Sequence, residues 1–381
     1  MSRVITGGAG VPIHLWGRQV PDGALEQLQR IAAHPSVVEH VAAMPDLHVA
    51  HGVAVGTVFA TDKVVVPAAL GGDLGCGMSA VRFDFPAARP SADELRRLLG
   101  RLATVIPVGD ATHRGRGVEL PAALLEAPLS TSALLHARER LGPRHLGTLG
   151  GGNHFLELDR DGGGDLWLLV HSGSRGLGAA IAAHHLRVAE QAQPGELPGL
   201  AGDAARACLA DYAWALAFAR ANRDELARRA CALVQLWTGV GPDEASRVDV
   251  HHNFVRAETH FGRELLVHRK GAIAAPKGER ALIPGSMGTC SYLVEGLGEP
   301  TSFGSASHGA GRVLTRREAR ATVTPRALQH TLRRVVFDER RAASLVEEAP
   351  QAYRDLGEVL EDEADLVTPV VRLTPIAVLK G

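Results

Sequence analysis

The spacing of apolar and polar positions changes period several times along the 381-residue chain. Residues Ala24–Ala33 repeat at helical spacing, inside an entry segment spanning residues 1–43. Ser91 followed by Glu94 forms a capping-box pattern that opens a helix over Ala92–Leu102. The runs Val53–Phe59, Lys63–Val66, Ser79–Phe85 and Leu166–Val170 are rich in β-branched or apolar residues, are bounded by turn residues, and predict short strands. Between 203 and 236, Leu209, Tyr212, Leu216, Ala219, Leu226, Ala230 and Leu233 predict one long helix or two, with the alanine stripe as core packing. Residues 106–122 are glycine- and arginine-rich and read as a loop; residues 248–295 return to strands and loops. The C-terminal third predicts helices over Arg316–Ala321, Pro325–Arg334 and about Ala349–Asp365, then an extended end, Leu373–Gly381. Strands and helices alternate without a repeat or an obvious linker. The expected class is therefore α+β: a single complex α/β domain over residues 1–381, with mixed sheets flanked by helices and a site assembled from distant loops.

Composition narrows this picture. Hydrophobic residues are 45% and charged residues 22%, as in a soluble globular protein. Aromatics are only 4%, too few for stacking platforms to dominate a single-stranded nucleic-acid surface. The formal charge is −1, so a nucleic-acid partner requires a local basic patch. Four cysteines without paired spacing fit a reducing compartment. The N-terminus carries no apolar signal core and no run is long enough to span a bilayer, so the expected localisation is cytoplasmic, with no membrane partner.

The 43 glycines cluster in motifs, and several motifs hold candidate chemistry. Of eighteen histidines, His48, His154, His171, His252 and His308 end apolar runs or sit in glycine turns. His113, His136, His184, His185 and His330 lie in helical or charged segments and read as surface residues. Asp73 and Cys76 share one glycine-packed loop, so a carboxylate and a thiolate can point at one cation. With His154, His171 and His252 they form a donor set for a borderline metal, and ligand softness alone favours zinc. The competing reading of each histidine is a hydrogen-bonded core residue. Ser172, Ser174 and Arg175, the run His268-Arg269-Lys270, and the turn Pro284–Gly288 around Ser286 offer anion-binding donors. In Ser302–Arg312, small residues surround His308, and Arg312 follows four positions later with a planar fork suited to phosphate. A metal set beside anion-binding loops suggests phosphoryl or nucleotidyl chemistry.

The motifs GGDLGCG, GGGNHF, HSGSRG, HHN, HRKGA, IPGSMG and SHGAGR, with a terminal Lys-Gly, occur in this order from residue 44 to residue 381, after an opening MPDLH. In these the chain resembles the RtcB family of RNA ligases. That family joins RNA ends bearing a 3′-phosphate or 2′,3′-cyclic phosphate to 5′-OH ends, using GTP and Mn²⁺. The resemblance implies that Asp73, Cys76, His154, His171 and His252 bind two Mn²⁺ ions in a central hydrophilic pocket, with Cys76 bridging. It implies that His308 takes GMP covalently, and that Asn153, Ser286 and Arg312 contact its phosphate. Glu157 and the penultimate Lys380 would read guanine, and Asp46, Arg175 and Lys270 would serve RNA-end binding or later steps. Members often work with an activating protein, archease. The spacer Ile273–Leu282 is short for the family, which leaves the RNA substrate open between tRNA splicing and RNA repair. Two other classes compete. A metal-dependent phosphoesterase could open cyclic phosphates without ligation, and a non-catalytic RNA-binding protein needs no reactive histidine.

Overall fold

A computed structural model describes residues 2–6 and 10–381. In chain order its strands are β1 (Arg3–Ile5), β2 (Ile13–Leu15), β3 (Val37–His48), β4 (Val55–Thr61), β5 (Gly77–Pro86), β6 (Phe155–Arg160), β7 (Asp165–Ser172), β8 (Pro242–His251), β9 (Asn253–His260), β10 (Arg263–Lys270), β11 (Ala272–Ala274), β12 (Arg280–Ile283), β13 (Ser291–Gly296), β14 (Ser305–Ser307) and β15 (Val367–Lys380). Its helices are α1 (Asp22–Ala32), α2 (Ala92–Val105), α3 (Ala122–Glu126), α4 (Ser132–His145), α5 (Arg175–Ala192), α6 (Gly202–Thr238), α7 (Arg316–Thr322), α8 (Pro325–Thr331), α9 (Ala342–Leu345) and α10 (Leu356–Asp362).

Two large sheets dominate. One runs β1-β2-β3-β4-β10-β9; the other runs β12-β13-β15-β6-β7-β5-β8, and the short pair β11-β14 joins their region. The mixed α/β class and mixed sheets expected from the sequence are both present: β2 pairs with β3 in parallel, while the second sheet is antiparallel. Strands β6 and β7 are buried on both faces. Leu156, Leu158, Leu166 and Leu168 meet α2 and α6, whereas Phe155, Trp167 and Leu169 face a cluster closed by α8 and α9. This explains why these strands read as apolar runs rather than alternating ones.

Helix α2 shows how a local pattern becomes packing. Both halves of its Ser91/Glu94 capping box form, and Leu95, Leu98, Leu99 and Leu102 turn inward. Truncating the buried Leu98 to alanine costs about 2–5 kcal/mol.

Several boundaries differ from expectation. Lys63–Val66 forms no strand: Lys63 has φ 59°, Val65 makes one isolated bridge to Leu200, and Pro67 opens a 3-10 turn where it needs no N–H. The segment Ala349–Asp365 is not one helix. Pro350–Ala352 is a 3-10 turn, Tyr353 is extended, and Asp355 starts α10 by accepting from Gly357 N. Helix α8 stops at Thr331, short of Arg334. His185, read as a surface residue, is buried and contacts Asp211. Helices α4 and α5 and the long strand β3 were missing from the pattern reading, because alanine, glycine and histidine blur their periods. Among the described residues no helix is long and apolar enough to cross a membrane.

Candidate metal and nucleotide site

The antiparallel order β6-β7-β5-β8 places the starts of β5 and β6 beside the ends of β7 and β8. Register fixes the neighbours: Phe155 and Met78 both pair with His171, and Gly77 pairs with Ser172 and His251. Cys76, His154, His171 and His252 thus collect at one sheet edge, although up to 176 positions separate them in sequence. Cys76 Sγ lies 3.3 Å from His154 Nε2 and 3.3 Å from His171 Nε2, and His154 Nε2 lies 3.1 Å from Asp73 Oδ2. Two donor groups result, Cys76/His171/His252 and Asp73/Cys76/His154, with the donor atoms of each within 4.8 Å of one another. Cys76 belongs to both.

Their chemistry suits a cation. His154 Nδ1 meets Leu149 O at 3.0 Å, and His171 Nδ1 meets Asn153 O at 3.2 Å. A carbonyl only accepts, so each Nδ1 carries the proton and each Nε2 keeps its lone pair. Arg175 Nη1 also lies 3.1 Å from His154 Nδ1. A guanidinium only donates, so it cannot share that protonated nitrogen, and we assign the bond to the carbonyl. His252 Nδ1 is buried without a partner. Burial above all, with neighbouring cationic groups, holds His171 and His252 well below the usual imidazole range, in the neutral form that ligates metals. Burial raises Asp73, but the His154 hydrogen bond and charge outweigh it and bring the carboxyl down to about 2. Burial and the Asp73 charge push the Cys76 thiol well up, so a bound cation must drive its deprotonation.

Two residues of α6 hold these loops in place. Arg223 is fully buried, pairs with Asp249 at 2.7 Å, and donates to Gly75 O and Ser172 O. Asn222 accepts from Gly147 N and Thr148 N and donates to Thr148 O, Ser172 Oγ and Gly173 O. Sequence reasoning saw only the apolar stripe of this helix. The signal it passed over is a polar Asn-Arg pair inside that stripe. Gly173 is required by close approach, since a Cβ there would lie 2.4 Å from Asp73 Oδ1.

His308 follows β14 across the cleft. Its backbone N donates to Asp46 Oδ2 at 3.1 Å, and its Nδ1 lies 2.6 Å from the same oxygen. Asp46 is fully buried, on the irregular stretch of β3 where the register with β4 shifts. An ionised carboxylate only accepts, so Nδ1 carries the hydrogen and Nε2 is left with its lone pair. The ring stands 4.8 Å, centroid to centroid, from His252. His48, 6.5 Å away, is kept neutral by burial, which brings it down to about 4.

A cavity of about 650 Å³ joins these groups. Asp73, Cys76, His171, His252 and His308 line it, as do Asn153, Glu157, Ser286, Arg312, Lys270 and Lys380. Lys380 Nζ donates to Asn153 O at 2.9 Å, lies 3.4 Å from Glu348 Oε2, and stands over the Phe155 ring. Glu157 is buried, and desolvation, together with the neighbouring Asp159 carboxyl, pushes it well up. Arg312 is spoken for by protein: it donates to Leu314 O, Glu347 O, Glu348 and Tyr353 OH. Lys270 donates to His51 O, and burial lowers it to about 8. Arg175 has φ 58° and its Nε is buried without a partner. Glu348 and Tyr353, joined at 2.6 Å, also face the cavity; no motif announced them, because they lie in irregular backbone.

A family model described as "tRNA-splicing ligase RtcB" matches residues 27–142 and 123–381. The chain is 34% identical to the "RNA-splicing ligase RtcB" of Escherichia coli K12, across 97% of both chains. It is 31% identical to the "RNA-splicing ligase RtcB" of Mycobacterium tuberculosis, across 93% of this chain and 100% of that one. With matches of this extent, the chain belongs to the RtcB family.

Proposed function

We propose that this protein is a GTP-dependent RNA ligase that joins 3′-phosphate or 2′,3′-cyclic phosphate ends to 5′-OH ends, with residues 1–381 acting as one catalytic domain. The observation that carries the reading is His308. Its Nδ1 is tied to buried Asp46, and its opposite edge belongs to a cavity that also holds the Cys76 donor set. Such a histidine is oriented and keeps a free lone pair, as a nucleophile requires. In this reading His308 Nε2 attacks the α-phosphorus of GTP and pyrophosphate leaves. Asp46 holds the Nδ1 proton and offsets the charge that develops on the ring. A 2′,3′-cyclic phosphate is first opened by water to a 3′-phosphate; the guanylyl group then passes to that RNA 3′-phosphate, the 5′-OH attacks the activated end, and GMP departs.

Asp73, Cys76, His154, His171 and His252 would hold the metal, proposed as two Mn²⁺ ions, which when bound stabilises charge on the phosphates. Lys380 and Glu157 would read the base, and Asn153 and Ser286 would hold phosphate oxygens; all four line the cavity. Arg312 would act by bracing Glu348 and Tyr353 unless a ligand draws its fork away. Arg175 and Lys270 remain candidates for the RNA end. An archease-type activator is part of the proposal only by family likeness.

The test is incubation with Mn²⁺ and GTP labelled at its α-phosphate. Acid-labile, alkali-stable label on wild type and none on His308→Ala supports the ligase. Opening of cyclic phosphates without label would instead favour a phosphoesterase. In Cys76→Ala, metal content by elemental analysis should fall together with labelling. Lys380→Met should lower the preference for GTP over ATP by about tenfold while leaving metal content alone.

A further inference from the structure

Behind the nucleophile loop lies a carboxyl group that the proposed chemistry does not use. Glu363 ends α10, is fully buried, and bonds Ser307 N at 2.9 Å through Oε2. Its backbone is tied on both sides, with its N–H donating to Val359 O and its carbonyl accepting from Leu366 N and Val367 N. Ser307 immediately precedes His308, so this bond, with the β11 pairing and the Asp46 bonds, fixes where β14 delivers the imidazole. Glu363 Oε1 is buried without a partner, and so are Ser307 Oγ and Asp46 Oδ1.

Two of these oxygens are carboxylate acceptors, and the one hydroxyl hydrogen of Ser307 can serve only one of them, so a proton on Glu363 would serve the other. The charged groups acting most strongly on Glu363 are Asp46 from β3 and Asp365 from its own segment, both acidic. The same elements otherwise contribute apolar side chains, including Met44, Phe303, Ala306 and Leu366, to one buried cluster. An ionised carboxylate there would stand unpaired in low dielectric, which costs several kcal/mol.

We propose that Glu363 is a positioning residue for His308: held as the neutral acid, it anchors Ser307 N–H with one oxygen and leaves Asp46 as the single negative charge behind the imidazole. The inference rests on His308 as the nucleophile of the proposed ligase. The same burial, reinforced by Asp46 and opposed by the Ser307 N–H bond, raises Glu363 to about 8. Above that pH a second negative charge forms beside Asp46, and the repulsion between the two carboxylates disturbs the one that holds His308 Nδ1.

The test compares wild type, Glu363→Gln and Glu363→Ala. Glutamine copies the neutral acid, with an oxygen that accepts and a terminal group that donates. The infrared difference spectrum of wild type minus Glu363→Gln should show a protonated-carboxyl stretch at pH 7 that disappears near pH 8. Guanylylation of His308 should slow by at least about tenfold in Glu363→Ala, as expected when a reacting group loses its placement. Glu363→Gln should restore the rate to within about twofold at pH 7, and should lack the wild-type decline above about pH 8. The reaction of His308 with diethyl pyrocarbonate, read by peptide mass, makes the same comparison without GTP. A missing carboxyl band, or a Glu363→Gln protein as slow as Glu363→Ala in both assays, overturns the proposal. If the band and the diethyl pyrocarbonate pattern are found but wild type takes no label, neutral Glu363 stands and the ligase reading fails.

Discussion

Two buried histidine–carboxylate pairs can be set side by side. His308 meets Asp46 at 2.6 Å, and His185 meets Asp211 at 2.7 Å. As local chemistry they are nearly the same. The difference lies in what surrounds them. Asp211 also accepts from Ser130 N and Ser130 Oγ, so it stitches the start of α4 to α5 and α6. Both partners are sealed, and neither lines the cavity. The Asp46 carboxylate instead accepts from His308 N and Nδ1, and that ring lines a cavity beside the Cys76 thiol and the His171 and His252 imidazoles. A carboxylate-tethered histidine is thus a structural clamp when its remaining edge is packed, and a candidate nucleophile when that edge is open.

The most direct way to break this contrast is to truncate each histidine. His308→Ala should lower guanylylation by at least about a thousandfold with little change in melting temperature, since it removes the atom that attacks in the proposed reaction. His185→Ala should do the reverse, lowering stability while label per folded molecule stays within about twofold. Equal losses of activity would dissolve the distinction.

The carboxylates give the next largest effect. Asp46→Asn leaves an amide that can offer its N–H to Nδ1 and so favours the wrong tautomer; labelling should fall by about a hundredfold or more. Asp211→Asn should cost about 3 kcal/mol in denaturant unfolding, because it breaks a buried pair, and should leave the labelling rate alone. A labelling defect in Asp211→Asn would show that the α4–α6 clamp reaches the cleft.

A smaller, pH-dependent effect sharpens the same point. Burial raises the Asp211 carboxyl, but its His185 and Ser130 hydrogen bonds more than offset this and hold it below the ordinary value. A depressed folded-state value adds stability above the unfolded value near 4, and that stability is lost as the pH falls through the folded value. Melting curves of wild type should therefore drop more steeply below about pH 4 than those of Asp211→Asn. Parallel curves would mean that the pair contributes packing rather than charge.

Local chemistry was readable along the chain wherever a residue type has little choice. The capping box at Ser91/Glu94, the apolar runs of β6 and β7, and the glycine motifs holding Asp73, Cys76, His154, His171, His252 and His308 all stand out as patterns. The mixed α/β class followed from irregular alternation of such elements. Boundaries were less legible where proline or a capping aspartate interrupts an otherwise helical run, as at Pro350 and Asp355. Partners could not be read at all when they lie far apart in sequence. Asp46 and His308 are 262 positions apart, and Arg223 reaches Gly75 over 148.

The sequence by itself therefore determined the donor types, the glycines that let backbones approach them, and the family likeness. Only the tertiary structure decided which histidine is open and which is sealed, that Asn222 and Arg223 brace the loops before and after β5 and β7, and that Glu363 sits behind His308. The physical reason is that side-chain identity is a local property. Burial, charge and a free lone pair are set by whichever distant strands and helices close around the group.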